Sequence, residues 1–147
     1  MAQRKNILCY GDSNTYGVIP RMYETDLPSE RYGEDTRWPM VLAADLGEGH
    51  RVVEEGLGGR TTIYDWPDCP WRKGEPYLLP CILSHRPLDL VIMMLGTNDL
   101  HGVCNPPTPE HLGDGIRRLI GVIRSCPECG RGFQPPRILL LSPISIE

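Results

Sequence analysis

Leu90-Val91-Ile92-Met93-Met94-Leu95-Gly96-Thr97-Asn98-Asp99 decides the fold. An unbroken apolar run ending in a glycine and a polar turn reads as a strand covered on both faces, which is how strands of a parallel sheet sandwiched by helices look. Two further strands end the same way. Ile7-Leu8-Cys9-Tyr10 runs into Gly11-Asp12-Ser13, and Arg51 to Glu55, centred on Val52-Val53, runs into Gly56-Leu57-Gly58-Gly59. A fourth strand is expected over Arg137 to Ser142.

Helical patterns fill the gaps between these strands. After a loop-like stretch from Gly17 to Asp35, which holds Pro20, Pro28 and Gly33, a helix is expected to start near Trp38-Pro39. Proline is well tolerated in a first turn. Its apolar residues Val41, Leu42 and Leu46 fall at helical spacing, and Gly47 ends it. Tyr77 to His85 reads as a short helix stopped by Pro87. Thr108-Pro109 opens the clearest helix, with Leu112, Ile116, Leu119, Ile120 and Ile123 on one face. Gly113, Gly115 and Gly121 weaken it by up to ~1 kcal/mol each. The segment from Cys126 to Pro136 reads as loop.

Strands alternating with helices form an α/β layered sheet. Right-handed crossovers favour a doubly wound parallel sheet of order 2-1-3-4, in which strands one and three flank the switch point where ligands bind beyond the carboxyl ends. Ser13, Gly59 and Asn98, far apart in sequence, would then meet at one crevice.

Composition bounds the alternatives. The chain of 147 residues is 40% hydrophobic and 23% charged, with a net charge of −4. That is one domain, 1–147, large enough to bury roughly 68–70% of its unfolded surface. A net negative charge without a basic stripe gives nucleic-acid binding no electrostatic support. No apolar run approaches the ~20 residues of a membrane span, and Met1 to Asn6 with its four-residue apolar follow-on is no secretory signal. A cytoplasmic location is the expectation. Six cysteines do not imply disulfides in a chain with this much core. Cys126-Pro127-Glu128-Cys129-Gly130 looks like half a zinc ribbon, but zinc takes four ligands and no second close pair follows, so these are expected to be free thiols in a surface loop.

Serine attacks a carbonyl when its oxygen is exposed, aligned and deprotonated. A turn between strand and helix presents Ser13, and the preceding Gly11 permits the tight backbone. The developing oxyanion needs donors aimed at it, and the candidates are the backbone N–H groups of Ser13 and Gly59 and the side-chain amide of Asn98. Glycine at 59 lets substrate approach the main chain. Singly each motif is unspecific: Gly-Asp-Ser also occurs as a helix-capping turn, and Asp99 can cap the segment after Asn98. Asp12 and Asp99 are assigned supporting roles. Arg60 and Asp65 are expected to be fixed in the turn after Gly59. Trp38, Trp66, Trp71, Tyr64 and Tyr77 either line an acyl or aryl pocket or serve packing.

Together these stretches resemble the SGNH (GDSL) hydrolases, within them the small bacterial arylesterase and acyltransferase group. The resemblance rests on residues 7–17, on Arg37-Trp38-Pro39, on Val52 to Thr62, on Asp89 to Asp99 and on Ile138 to Pro143. It implies Ser13 as nucleophile, Ser13, Gly59 and Asn98 as the oxyanion hole, a flavodoxin-like three-layer α/β/α sandwich, and small carboxylic-ester substrates without cofactor or metal. Acyl transfer to alcohols is a further activity of such enzymes.

The sequence departs from that family in one respect. Family members take the catalytic acid and base from an Asp-x-x-His segment after a fifth strand, and no Asp-x-x-His occurs here. The expectation is a C-terminally truncated member. Its four histidines are His50, His85, His101 and His111. His50 and His85 are expected at the wrong end of the sheet and His111 on a helix surface, leaving His101, two residues past Asp99, as the only one near the crevice. Two other readings stand beside a serine esterase: a catalytically impaired remnant or binding module of the same fold, and a nucleotide-binding module. Against the last, Gly56-Leu57-Gly58-Gly59 lacks the P-loop lysine and the dinucleotide glycine pattern. No partner macromolecule is implied, and homo-oligomerisation is open.

Overall fold

The computed structural model describes residues 3–20, 30–104 and 106–143; the part of the expected loop that falls on residues 21–29, with Pro28, lies outside them. Four parallel strands form one sheet: β1 (Lys5–Gly11), β2 (His50–Gly56), β3 (Leu90–Met94) and β4 (Arg137–Leu140), in the order β2-β1-β3-β4. The order matches the sequence expectation. The ends shift by a residue or two, and β4 stops at Leu140 although the Leu141 N–H still donates to the Met93 carbonyl at 2.9 Å.

Alternation along the strands sorts the core into two layers. Leu8, Tyr10, Val91 and Met93 point to the face covered by α3 (Gly74–Ser84) and α4 (Pro109–Arg124), where Leu78, Ile82, Leu119 and Ile123 meet them. Ile7, Cys9 and Ile92 point to the other face, under α2 (Trp38–Leu46). The result is a helix–sheet–helix sandwich. In α2 the contacting residues are Trp38, Leu42 and Leu46, one per turn. Val41, expected on the same face, is 39% exposed, because its position falls a quarter-turn off that stripe.

Two helices differ from the sequence reading. Helix α3 begins at Gly74, three residues before Tyr77, since Pro76 sits in its first turn where a missing N–H is no loss. In α4, Gly115 marks a close approach: a Cβ there would come 2.0 Å from Thr62 Oγ1. A glycine read from sequence as a weakness is what lets α4 lie against the loop after β2.

The segment between α4 and β4 corrects the surface-loop expectation. Cys126 and Cys129 are buried and joined by a disulfide, flanked by short turns at Pro127–Cys129 and Arg131–Phe133. Gly130 bridges to Leu88, so the segment packs under the core instead of projecting from it. Cys9, Cys69, Cys81 and Cys104 remain free thiols. Among the described residues no helix is long and apolar enough to cross a membrane.

Candidate active site

Parallel strands all deliver their following loops to one end of the sheet. Register makes this specific: Gly11, the last residue of β1, pairs with Gly56 on one side and Met94 on the other. Ser13, Gly59 and Asn98 follow those three positions by two, three and four residues.

The three loops are hydrogen-bonded to one another. The Gly11 carbonyl accepts from the Leu57 N–H at 3.1 Å and from an Arg60 guanidinium nitrogen at 3.0 Å. That same nitrogen donates to the Glu55 carbonyl. The Arg60 carbonyl in turn accepts from Asn98 Nδ2 at 3.0 Å. Arg60 is only 3% exposed, its guanidinium 4.3 Å from the Tyr10 ring centroid and 5.3 Å from that of Tyr77. A permanently charged group with five donors can satisfy carbonyls from two strand ends at once. The expectation that Arg60 is fixed in this turn holds; Asp65, by contrast, meets Lys73 at 3.2 Å from an exposed position.

Ser13 opens the four-residue helix α1 (Ser13–Tyr16). Asp12 caps it: its Oδ1 accepts from the Asn14 N–H at 2.9 Å and from Asn14 Nδ2 at 3.1 Å. The Ser13 carbonyl accepts from the N–H groups of Gly17 and Val18, which fixes the backbone that carries the hydroxyl. The side chain itself is half-buried, and among the described residues none hydrogen-bonds its hydroxyl.

Gly59 has φ +76°, a left-handed conformation that L side chains rarely take, inside the turn closed by the Arg60 N–H on the Leu57 carbonyl at 3.1 Å. A Cβ there would also lie 2.7 Å from Arg72 Nε.

Asn98 leads into a π-type turn, Asp99–Val103. Its amide nitrogen carries two hydrogens, so one remains after the bond to Arg60. Asp99 is fully buried, and its carboxylate accepts from the Thr62 N–H at 2.9 Å and from the Thr62 hydroxyl. The loop after β3 is thereby pinned to the loop after β2 from below as well as from Asn98. Burial pushes the Asp99 carboxyl above its usual range against the opposing Thr62 bonds. Burial does the same to Asp12, with Asn14 opposing and the charge of Asp99 adding to the rise. Arg60 and Thr62, more than any residue singled out for chemistry, hold the loops together. Arg60 was legible directly after the glycine turn, whereas nothing local in the sequence marks Thr62.

The four histidines stand in different elements, and His101 alone shares the loop of Asn98. His50 begins β2 and contacts the Leu46 carbonyl through Nδ1 at 3.2 Å. His85 follows α3, but its ring reaches Glu55 near the carboxyl end of β2, so the expectation that it stands at the wrong end of the sheet does not hold for its side chain. His111 sits in the first turn of α4, its Nδ1 3.2 Å from Thr108 Oγ1 and its carbonyl accepting from Tyr64 Oη at 2.9 Å. His101 is exposed within the π-type turn.

Two of the five aromatic residues line a cleft and three are packed. Trp71 and Tyr77 line a cleft of about 410 Å³ shared with Glu55, Leu57, Arg60 and Lys73. Trp38 packs under the sheet, Trp66 lies beneath the Arg72 guanidinium at 4.8 Å, and Tyr64 is tied to α4.

Residues 9–144 match the GDSL-like lipase/acylhydrolase family. An inhibitor-bound aryl esterase from M. smegmatis superposes with a TM-score of 0.84 at 42% identity, over 94% of this chain and 63% of that one. A carbohydrate acetylesterase from Sinorhizobium meliloti superposes with a TM-score of 0.81 at 38% identity, over 93% of this chain and 63% of that one. The chain thus spans less than two thirds of the length of either. No curated protein sequence matches it.

Proposed function

The chain belongs to the GDSL-like lipase/acylhydrolase family, and on that premise we propose that it carries the nucleophile and oxyanion site of a serine esterase acting on small carboxylic esters. Ser13 Oγ attacks the ester carbonyl. The N–H groups of Ser13 and Gly59 and the second amide hydrogen of Asn98 donate to the oxyanion. The alcohol leaves with a proton, and water then releases the acid from the Ser13 ester; an added alcohol in place of water gives acyl transfer. Asp12 and Asp99 fix the loops that carry Ser13 and Asn98.

The observation that carries this reading is the chain of bonds Asn98 Nδ2 to the Arg60 carbonyl and Arg60 guanidinium to the Gly11 carbonyl, which ties the three loops at one end of the sheet. Such prepositioned donors are worth about 2.7–4 kcal/mol each to the transition state.

Attack also needs a base for the Ser13 proton. Among the described residues none hydrogen-bonds the Ser13 hydroxyl, which favours a second reading in which this chain by itself binds esters and turns them over feebly. The test is hydrolysis of an aryl acetate by the chain with Cys69 and Cys104 blocked, since half-buried thiols also react with activated esters. Slow turnover abolished in Ser13→Ala supports the esterase reading. Saturable binding of the ester with no loss of hydrolysis in Ser13→Ala and Asn98→Ala refutes it and leaves the binding module.

A further inference from the structure

Cys81 and His85 stand one helical turn apart at the end of α3, with Tyr77 a turn earlier, and all three reach toward Glu55 near the end of edge strand β2. Glu55 Oε1 lies 2.8 Å from His85 Nε2, and Glu55 Oε2 accepts from Tyr77 Oη at 3.1 Å. A carboxylate oxygen, the Cys81 sulphur and an imidazole nitrogen all lie within 4.8 Å of one another. In the sequence Cys81 is an isolated cysteine and His85 a helix-end histidine, so only the fold brings them together.

We propose that Glu55, Cys81 and His85 form a binding site for a divalent transition-metal ion of the zinc type, made of residues other than those proposed for ester hydrolysis.

Three arguments support it. The donor set is one sulphur, one nitrogen and one oxygen, which suits a borderline-soft cation; calcium and magnesium take oxygen ligands. Bonds of about 2.0–2.3 Å from a tetrahedral ion set its ligand atoms roughly 3.3–3.7 Å apart, between the closest approach within the cluster, 2.8 Å, and its widest limit, 4.8 Å. Small rotations of exposed-side atoms close the difference, and an i, i+4 pair on one helix face is a recurrent way to present two ligands. Access is also available. His85 and Glu55 keep 23% and 18% of their side-chain surface in water, and Glu55 and Tyr77 line the 410 Å³ cleft, from which water can fill a fourth position.

The Glu55 carboxylate and a Cys81 thiolate offset the charge of a divalent cation, and the Arg60 guanidinium is held on the Gly11 and Glu55 carbonyls. Burial and the Glu55 charge push the Cys81 thiol up to about 12, so it is protonated without metal. On binding, the sulphur–metal bond replaces the S–H bond and that proton goes to solvent. The Glu55–His85 hydrogen bond opens as both become ligands.

The experiment uses the full chain, freed of metal with a chelator and titrated with Zn2+ by calorimetry and with Co2+ by absorption. The expected result is one equivalent bound, a raised Tm and a thiolate-to-cobalt charge-transfer band. Glu55→Gln and His85→Gln are each expected to weaken binding at least about tenfold, and Cys81→Ser to abolish the band, while Cys126→Ser/Cys129→Ser retains both. Absence of the band, or unchanged affinity in Glu55→Gln and His85→Gln, overturns the proposal. Should Cys81→Ser fail to fold, the two partly exposed ligands still decide it.

Discussion

Asn98 donates its side-chain amide to the backbone carbonyl of Arg60 at 3.0 Å. The residue proposed to hold the oxyanion is thus oriented by the main chain of a residue whose own side chain clamps the ends of β1 and β2. Orientation of Asn98 and closure of the strand ends are the same event, and disturbing Arg60 disturbs both.

Arg60→Met tests this directly. The change keeps most of the apolar stem between Tyr10 and Tyr77 but leaves the Gly11 carbonyl with only Leu57 and removes the second donor at Glu55. Hydrogen bonds from a charged group are worth about 1.5–3 kcal/mol each, and an unpaired buried acceptor adds desolvation cost. Unfolding in urea is expected to show a loss of roughly 2–4 kcal/mol. A loss below about 0.5 kcal/mol would show that the clamp contributes nothing.

Gly115→Ala sets two effects against each other. Alanine is the better helix former by up to ~1 kcal/mol. Its Cβ, however, would lie 2.0 Å from Thr62 Oγ1, whose hydroxyl donates to buried Asp99. Overpacking typically costs 1–3 kcal/mol, and a displaced Thr62 leaves the Asp99 carboxylate short of donors. The steric effect is expected to win, with a net loss of about 1–2 kcal/mol in equilibrium unfolding. Thr62→Ser in the same background should recover part of it, because a hydroxyl without the γ-methyl can yield while still donating.

These two cases also mark what sequence could and could not supply. Short apolar runs bounded by glycine turns marked β1 and β3, which are buried on both faces, and the handedness of crossovers set the strand order. The positions of Ser13, Gly59 and Asn98 at one end of the sheet followed from that order. Thr62 and Gly115 were not legible, since a glycine that admits a neighbouring side chain looks the same in sequence as one that merely weakens a helix. The Cys126–Cys129 bond and the pairing of Cys81 with His85 and Glu55 escaped for a related reason: both depend on how α3 and the segment after α4 pack, and local periodicity is silent on that.

Acid stability should be unusual. Burial pushes the Asp89 carboxyl up, but the Asn6 N–H, Arg131 and Lys5 together outweigh it and hold the group below its ordinary range. A carboxyl depressed in the folded state stabilises above its unfolded pKa, about 3.9, and that contribution is lost as pH falls through the folded value. Asp12 and Asp99 are raised instead, so their contribution is full below the ordinary carboxylate range and is lost as pH rises through their folded values. Asp89→Asn removes the first effect and leaves the second. Urea unfolding across the acid range should show the variant about 1–3 kcal/mol less stable near neutrality, with the gap closing in strong acid. A gap that persists undiminished at the acid end would refute the assignment to Asp89.

The rate of the Ser13 reaction depends on where its proton goes. No described residue accepts it, and His101, the histidine two residues beyond Asp99, is exposed. Without a base, attack relies on oxyanion donors and binding, which in enzymes stripped of triad members still leave about 10³–10⁴-fold acceleration over water. This chain covers 63% of the M. smegmatis aryl esterase. Joined to the part of that relative it does not cover, it is expected to gain at least about tenfold in kcat, since general base catalysis contributes roughly 10²–10⁴, with KM little changed. Ser13→Ala should abolish the gain, and Asn98→Ala should cut kcat by about 10²–10³. Should the chain alone turn over aryl acetates at roughly 1–10³ per second, with His101→Ala removing that activity, the base lies within the chain and His101 is it.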